Sequence, residues 1–174
     1  GRYRLGVCLK SGHGVDTFLA IDETNESEVV VKSIVPHLIH DAARLRFEHE
    51  THVLRQLTGT GLVGLYDAGV TDEHWYLVQP FMPGSTLEEV LKSGPLSLEL
   101  ALRAAIDLAS ALDVAHGAGI FHRDVKPANV IVGRGEHQVT VTLIDFGFAR
   151  SPLLDESLND QLVGTVRYLA PEAA

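Results

Sequence analysis

Four polar residues in the second half of the sequence are of types that carry acid–base and metal-binding chemistry. Asp124, Lys126 and Asn129 lie within one six-residue segment, and Asp145 follows sixteen positions after Asn129. Carboxylate and amide oxygens are hard donors of the kind that Mg²⁺ takes, while waters and phosphate oxygens complete its shell. Asn129 and Asp145 are therefore candidate magnesium ligands, and the alternative for each residue alone is a charged surface turn.

A lysine ends an apolar run in the first third of the sequence. Lys32 follows Val29, Val30 and Val31, and such a β-branched run predicts a strand. A charged side chain inside a buried strand needs a partner or an anionic ligand, because its desolvation is otherwise costly. Lys32 is therefore a candidate for binding an anion.

Three motifs occur in a fixed order along the chain. They read His122-Arg123-Asp124-Val125-Lys126-Pro127-Ala128-Asn129, Asp145-Phe146-Gly147 and Ala170-Pro171-Glu172. They resemble the catalytic loop, the metal-binding D-F-G triplet and the A-P-E triplet of eukaryotic-type protein kinases. One triplet alone is a weak signal, but three in order at family-like spacing are specific. The chain resembles a bacterial Hanks-type (eukaryotic-like) Ser/Thr protein kinase domain that is truncated after A-P-E.

The resemblance implies ATP-dependent transfer of the γ-phosphate to a Ser or Thr hydroxyl of a protein substrate. Phosphoryl transfer asks a protein mainly for positioning and charge neutralisation. Asp124 would orient the attacking hydroxyl and accept its proton, and Lys126 would contact the transferred phosphate. Asn129 and Asp145 would hold Mg²⁺, with Mn²⁺ as an alternative ion.

The resemblance also assigns a partner to the strand lysine. Lys32 matches the family's lysine that holds the α- and β-phosphates and pairs with a helix glutamate. The helix pattern R-F-x-x-E is matched by Arg46-Phe47-Glu48-His49-Glu50. Glu50 is the predicted partner of Lys32, and Glu48 is the alternative.

A nucleotide pocket is implied by the same resemblance. Its apolar walls would be Leu9, Thr17, Val30 and Ile131. After the gatekeeper-like Gln79, the carbonyl of Pro80 and the amide of Met82 would pair with adenine, since proline lacks only the N–H.

The glycine-rich loop departs from the family pattern. The segment Lys10-Ser11-Gly12-His13-Gly14-Val15-Asp16-Thr17 keeps the middle glycine as Gly12 and adds Gly14. Lys10 and Val15 replace the flanking glycines, and a β-branched residue tolerates positive φ badly. We expect a stiffer loop or weaker ATP binding, with Gly12 and Gly14 still contacting the nucleotide.

Regulatory positions also follow from the resemblance. Arg123 would pair with a phosphorylated residue of the activation segment, because Arg–phosphate pairs are bidentate and ordering. The candidate acceptors are Ser151, Ser157 and Thr165, although Thr165 lies in what resembles the substrate-docking loop. Asp155, Glu156 and Asp160 are the alternative source of negative charge. A stacked core would contain Leu54, Leu65, His122 and Phe146.

The strands and helices that are expected to position these residues predict an α+β, protein-kinase-like fold. Strands are expected at residues 3–9, 15–21, 29–35, 62–68 and 74–79, with one helix at 41–57, which gives a five-stranded antiparallel N-lobe over residues 1–79. Residues 80–83 would form a hinge. Residues 84–174 would form the upper, helix-led part of the C-lobe, without the lower helices.

Two helix starts and one hairpin are predicted in that second lobe. Ser85 and Glu88 have capping-box spacing, and Ser97 can cap a longer helix. An apolar stripe on the longer helix predicts core; it comprises Leu98, Leu102, Ala105, Ile106, Ala109 and Leu112. The hairpin is expected at residues 130–132 and 139–144.

Composition narrows the classes of partner and compartment. The net charge is −9, so binding to nucleic acid or to an anionic membrane is not expected. Cys8 is the only cysteine; it favours a reducing, cytoplasmic compartment and is expected to be a small core residue. No segment approaches a membrane span or a signal peptide, and further domains are expected C-terminal in the parent chain.

Two alternatives to an active protein kinase remain from the sequence. The altered glycine loop favours a pseudokinase, which is a nucleotide-binding or scaffolding module, although Lys32, Glu50, Asp124, Asn129 and Asp145 are all present. A small-molecule phosphotransferase of the same broad fold is the other, and Lys126-Pro127 argues against it. The fragment alone is expected to expose apolar surface and to have little activity.

Overall fold

The computed structural model describes residues 1–12, 14–35, 37, 39–59, 61–71, 73–134, 139–152 and 165–168. The predicted A-P-E triplet, Ser157, and the acidic residues Asp155, Glu156 and Asp160 lie outside these ranges, as does His13. The chain divides into two compact units. The first comprises Gly1–Arg55 and Gly64–Phe81, and the second comprises Gln56–Val63 and Met82–Ala174.

An antiparallel five-stranded sheet and one helix make up the first unit. The strands are β1 Tyr3–Gly12, β2 Val15–Asp22, β3 Ser27–Ile34, β4 Asp67–Val70 and β5 Trp75–Pro80. Their order in the sheet is β1-β2-β3-β5-β4, with every neighbouring pair antiparallel. Helix α1, Asp41–Gln56, lies between β3 and β4. The predicted protein-kinase-like α+β architecture of this part is confirmed.

The fourth strand lies later in the chain than the sequence predicted. β4 begins at Asp67, whereas the prediction covered residues 62–68. The preceding residues bond elsewhere: the Val63 N–H donates to the Leu143 carbonyl (3.4 Å) and the Leu143 N–H donates to the Gly61 carbonyl (2.8 Å). These bonds explain why residues 56–63, predicted to be part of the first lobe, group with the second unit. The predicted lobe and hinge bounds otherwise stay a prediction.

Strand register places the polar strand residues on one face of the sheet. Lys32 lies opposite Thr17 on β2 and opposite Leu77 on β5, while Val30 lies opposite Gln79. Directly opposed residues share a face, and alternate residues along a strand do too. The other face carries an apolar cluster of Ala20, Val29, Val31 and Val78, against which Tyr3 and Tyr76 pack.

The edge strand β1 is largely exposed, which corrects the prediction for the cysteine. Cys8 is exposed, and its neighbours Val7 and Leu9 are 66% and 51% exposed. The register with β2 shifts between Leu5 and Cys8 and again between Cys8 and Lys10. A β-bulged edge strand turns side chains away from the core, so Cys8 is not the buried core residue that was expected.

A second sheet and two helices make up the second unit. Its strands are β6 Ser85–Thr86, β7 Val130–Arg134 and β8 Val139–Leu143, in the order β6-β7-β8. The helices are α2 Leu87–Lys92 and α3 Leu98–Gly117. Single 3₁₀ turns occur at Pro127–Asn129 and Val166–Tyr168. Across the described ranges, no helix has the length and hydropathy to cross a membrane.

Helix α3 buries a different face from the one its apolar periodicity predicted. Ser97 caps the helix as expected, since its side chain accepts a hydrogen bond from the Leu100 N–H (3.2 Å). The buried residues are alanines, namely Ala104, Ala111 and Ala115. Most of the predicted core stripe is exposed; Leu98, Leu102 and Ile106 are 76%, 55% and 62% exposed, Ala105 and Ala109 are also exposed, and Leu112 is half-buried. Small residues allow the close packing of α3 against β8.

The cap of α2 lies one residue after the predicted position. Thr86, and not Ser85, is the N-cap: its side chain accepts from the Glu89 N–H (3.2 Å), and the Glu89 carboxylate accepts from the Thr86 N–H (2.9 Å). These bonds hold the pKa of Glu89 below its ordinary value. Ser85 and Thr86 both pair in the sheet, with Val132 and Ile131, but α2 begins at Leu87, so the predicted box of Ser85 and Glu88 is wrong.

This cap can be tested with a pair of adjacent alanine substitutions. Thr86→Ala should lower the free energy of unfolding by about 1 kcal/mol, because the Glu89 N–H loses its acceptor. Ser85→Ala is the matched control and should change it by less than about 0.5 kcal/mol, as exposed substitutions usually do. Urea unfolding of both variants gives the comparison. Equal losses, or a larger loss for Ser85→Ala, would contradict the assignment.

Candidate active site

The loop between α3 and β7 presents the catalytic-loop residues that the sequence singled out. Ile120, three residues after the end of α3, is fully buried, as is His122. The Asn129 N–H donates to the Lys126 carbonyl (2.9 Å) and closes the 3₁₀ turn that leads into β7. Asp124 and Asn129 are 5% and 4% exposed. Local turns between a helix and a strand therefore hold two buried polar side chains next to each other.

The Asp124 carboxylate is surrounded by hydrogen-bond donors. The Asn129 Nδ2 donates to the Asp124 backbone carbonyl (2.8 Å) and to its Oδ2 (3.0 Å). The Lys126 Nζ lies 2.7 Å from the same Oδ2. Because buried carboxylates require such partners, these contacts fix the orientation of the Asp124 side chain. The amide carbonyl oxygen of Asn129 takes no part in these bonds and is the atom that could bind a cation.

A threonine hydroxyl contacts the other carboxylate oxygen. The Thr165 Oγ1–H donates to the Asp124 Oδ1 (2.8 Å), and the Lys126 Nζ donates to the same hydroxyl (2.6 Å). The sequence reasoning placed Thr165 in a docking loop and did not predict this contact, since 41 positions separate it from Asp124. The contact demonstrates that this carboxylate and this lysine can hold one hydroxyl between them.

His122 supports the loop in a defined tautomer. The Asp124 N–H donates to the His122 Nδ1 (3.2 Å), so the proton lies on Nε2, which faces the Ile144 carbonyl at 3.1 Å. The His122 ring packs edge-on against Phe146, with centroids 4.6 Å apart. Burial lowers the pKa of His122, although the Ile144 carbonyl and the charges of Asp145 and Asp124 oppose the shift. The neutral imidazole is therefore the form that this loop requires.

The other two members of the predicted stack belong to the first unit. Leu54 is buried, and its carbonyl accepts a hydrogen bond from the Leu65 N–H (3.3 Å). Of the four-residue stack, the His122–Phe146 contact is thus observed inside the second unit. The extension of the stack to Leu54 and Leu65 stays a prediction.

Two non-glycine residues of the site have left-handed backbone conformations. Arg123 has φ of 61° and Asp145 has φ of 66°, a region that costs roughly 1–2 kcal/mol per residue. The Arg123 Nε donates to the Phe148 carbonyl (3.0 Å). The Ile144 N–H donates to the Asn129 carbonyl (2.9 Å), so the residue before Asp145 is bonded to the other candidate metal ligand. Such strain concentrates at functional positions.

The phosphoacceptor candidates differ in accessibility. Ser151 is 3% exposed, so its hydroxyl is not available to another enzyme in this conformation. Thr165 is half-buried and engaged by Asp124 and Lys126. The pairing of Arg123 with a phosphorylated residue stays a prediction.

The strand lysine forms the ion pair that the sequence predicted. The Lys32 Nζ donates to the Glu50 Oε1 at 2.5 Å, and the two side chains are 13% and 6% exposed. Glu48, the alternative partner, is exposed. The pairing with Glu50 is confirmed, and it neutralises a charge that would be costly in this environment.

The remaining nucleotide-site candidates are distributed over both units. Thr17 and Val30 share the sheet face of Lys32, Leu9 is on the exposed strand β1, and Pro80 ends β5. Met82 belongs to the second unit, as does Ile131 in β7. Their contact with a nucleotide stays a prediction.

The β1–β2 turn uses its extra glycine where the backbone requires one. Gly14 has φ of 77°, and a Cβ on it would collide with the Ile39 side chain. Val15 begins β2 and pairs with Gly12 on β1. The left-handed position is thus occupied by Gly14, and the β-branched Val15 has an extended conformation that suits it.

Comparison with known proteins identifies the family. The sequence profile of the protein kinase domain matches residues 3–174. The chain belongs to the protein kinase family. It is 34% identical over its whole length to the probable serine/threonine-protein kinase PknB of Bifidobacterium longum. Over 99% of its length it is 33% identical to PknB of Mycobacterium leprae and 35% identical to PknH of Mycobacterium tuberculosis.

The names of these relatives test the predicted resemblance, and their lengths show how much of each relative the chain spans. All three carry names of bacterial serine/threonine-protein kinases, so the predicted resemblance to that group is confirmed. The chain spans 27% of the Bifidobacterium longum protein, 29% of the Mycobacterium leprae protein and 28% of the Mycobacterium tuberculosis protein. It thus corresponds to just over a quarter of each of these kinases.

The contribution of the Lys32–Glu50 pair to the stability of this protein kinase chain can be tested with Glu48, on the same helix, as the matched control. Glu50→Gln should lower the free energy of unfolding by about 3 kcal/mol, because it removes the carboxylate from a buried ammonium group. Glu48→Gln removes the same charge from an exposed position and should change it by less than about 0.5 kcal/mol. Urea unfolding measures both. Indistinguishable variants would show that the pair does not stabilise the fold.

The neutral His122 predicts a pH dependence of kinase-domain stability. Its pKa is lowered in the folded state, so the unfolded state binds more protons at pH values between the folded pKa and the ordinary value of about 6.5. The contribution to stability is therefore full above about pH 6.5 and declines as the pH falls below it. Melting temperatures measured from pH 8 to pH 5 should decline accordingly.

Two histidine substitutions separate this effect from general acid unfolding. His122→Asn should show a smaller decline between pH 8 and pH 5, because the titrating group has been removed. His52→Asn changes an exposed histidine of α1 and should keep the wild-type decline. A His122→Asn variant with the full wild-type pH dependence would contradict the role of His122.

Proposed function

We propose that the protein is an ATP-dependent serine/threonine protein kinase in which Asp124 is the catalytic base. The observation that carries the proposal is the hydroxyl held between Asp124 Oδ1 and Lys126 Nζ, at 2.8 and 2.6 Å. A substrate serine or threonine hydroxyl requires the same two neighbours. The carboxylate takes the proton as the oxygen attacks the γ-phosphorus, the bond from the γ-phosphorus to the β–γ bridging oxygen breaks and ADP leaves, and the lysine neutralises the phosphoryl oxygens.

The donor set of the second unit fits a hard divalent cation. Asn129 gives its amide nitrogen to Asp124, which leaves its carbonyl oxygen for a metal. Asp145 is half-buried and follows Ile144, whose N–H is bonded to the Asn129 carbonyl. Oxygen donors of this type suit Mg²⁺, with Mn²⁺ as the alternative. The bound cation would neutralise charge on the β- and γ-phosphates, while Asn129 and Asp145 hold its position.

The first unit supplies groups suited to the nucleotide. Lys32, oriented by Glu50, would bind the α- and β-phosphates. Thr17 and Val30 lie on the same sheet face as Lys32 and would contact the base and the sugar. Leu9, Gly12, Gly14, Pro80, Met82 and Ile131 complete the proposed set. Action in the cytoplasm, which the single cysteine favours, is part of the same proposal.

A pseudokinase is the second candidate, and the β1–β2 turn favours it. Lys10 and Val15 occupy positions at which the family has glycines, and both are strand residues paired across the turn region. A side chain at these positions limits how closely the backbone can approach phosphates. On this alternative the chain binds nucleotide without transferring phosphate.

Phosphate transfer by the complete protein separates the two candidates. Asp124→Asn should reduce transfer from γ-labelled ATP to a Ser/Thr protein substrate by at least about 100-fold, since it removes the general base. Asp113→Asn changes an exposed carboxylate of α3 and should leave the rate unchanged. Mg²⁺ chelation should abolish transfer in every variant.

Two outcomes would count against the kinase proposal. Wild-type protein that binds ATP but transfers no phosphate would establish the pseudokinase alternative. Transfer that survives Asp124→Asn at the wild-type rate would remove Asp124 from the catalytic role.

A further inference from the structure

The edge strand β1 carries a lysine on the same sheet face as Lys32. Lys10 lies directly opposite Thr17 of β2, and Thr17 lies directly opposite Lys32 of β3. Directly opposed residues share a face of a sheet, so the three residues form one row across three strands. Because neighbouring strands are about 4.8 Å apart, the backbones of the two lysines are separated by about 10 Å along this row.

Two irregularities in β1 bring Lys10 into this row. The register at the start of β1, continued without interruption, would place Lys10 opposite Val15. The register shifts twice before Lys10, and the two shifts together move it along β2 to a position opposite Thr17. A shift by one residue alone would have turned the lysine to the other face. The strand therefore keeps Lys10 on the face of Lys32 and also brings the two lysines into one row.

The backbone at Lys10 does not require a glycine. In the part of the chain that the structure describes, positive φ outside glycine occurs at Glu26, Arg123 and Asp145 only, so Lys10 keeps the conformation of a strand residue. Gly12 is two residues further along β1, and a Cβ on it would meet no atom within 4 Å. A ligand on this face therefore has open access to the backbone next to the exposed lysine.

The negative charge of the β1–β2 turn lies on the opposite face. Asp16 lies opposite Ser11, and its carboxylate accepts a hydrogen bond from the Ser11 hydroxyl (2.6 Å). Both residues alternate with the row of Lys10 and Thr17, so they belong to the other side of the sheet. The turn thus directs its carboxylate away from the face that carries the two lysines, and this arrangement favours an anionic ligand there.

We propose that the Lys10 side chain is a second phosphate-binding group for the nucleotide, beside Lys32. The family pattern has a glycine at this position, where backbone N–H groups approach the phosphates. In this chain the ammonium group of a long, flexible side chain supplies the contact in place of the backbone. The inference rests on the proposed binding of ATP and goes beyond it, because the contact comes from a residue that departs from the family pattern.

Nucleotide titrations of the complete protein test the contact. Lys10→Met removes the charge and keeps a long side chain. It should weaken the binding of ATP with Mg²⁺ by about tenfold at low ionic strength, because a charge-assisted hydrogen bond is lost. The difference should shrink as salt is added, since an exposed charge is screened. Adenosine, which has no phosphates, should bind to the variant as it binds to the wild type.

Two further substitutions separate the charge of the side chain from its bulk. Lys10→Gly restores the glycine of the family pattern and should also weaken ATP binding by about tenfold, because it removes the same ammonium group. Tighter binding by Lys10→Gly would show that the lysine only obstructs the phosphates, and would overturn the proposal. Lys10→Arg keeps the positive charge and should keep the wild-type affinity for ATP within about threefold.

The control is a lysine at an exposed position of α2. Lys92→Met makes the same change of charge there and should leave the affinities for ATP and adenosine unchanged. A Lys10→Met variant that loses as much affinity for adenosine as for ATP would indicate a disturbed loop and not a lost phosphate contact, and would count against the proposal.

The titrations also separate this inference from the function on which it rests. Wild-type protein that binds no ATP would overturn both. Wild-type protein that binds ATP with the affinity of Lys10→Met would remove Lys10 from the phosphate site and leave the kinase proposal intact.

Discussion

The buried carboxylate of Asp124 is the constraint on which the rest of the second unit depends. A charge that is 5% exposed cannot remain in the fold without several donors, because its desolvation is otherwise too costly. Asn129, Lys126 and Thr165 supply them within 3.0 Å, and His122 holds the Asp124 backbone. The same donors that make the charge tolerable also fix its direction, so the stability of the loop and its capacity for catalysis have one origin.

The elements around this carboxylate are arranged to bring distant segments to it. The helix α3 ends directly before the loop, and β7 begins directly after Asn129. The β8 strand leads to Asp145, whose left-handed backbone lies beside the Asn129 segment. Left-handed φ values at Arg123 and Asp145 are unfavourable in isolation. They persist because hydrogen bonds, such as that from the Arg123 Nε to the Phe148 carbonyl, over-determine the conformation.

Sequence reasoning succeeded where a short motif or a family pattern sufficed. The valine run and the family's helix pattern predicted the Lys32–Glu50 pair, and the apolar runs together with the resemblance to protein kinases predicted the five-stranded sheet. Sequence reasoning failed where two neighbouring residues fit the same local pattern equally well. Ser85 and Thr86 both offer a hydroxyl three residues before a glutamate and both pair in β6, and only the start of α2 at Leu87 makes Thr86 the cap.

Side-chain packing and contacts between distant parts of the sequence account for the other differences between the predictions and the structure. The helical spacing of its apolar residues predicted the α3 stripe to be core, whereas the packing of α3 against β8 selects the face of Ala104, Ala111 and Ala115. The Thr165 contact joins positions 41 residues apart, and periodicity carries no information on such long-range pairs. Lys32 follows three valines in β3 and breaks the apolar pattern of the strand, as residues at functional sites often do. The protein itself neutralises the charge of Lys32 through Glu50. The strand can therefore keep a buried ammonium group without a ligand, because the helix glutamate supplies the opposite charge.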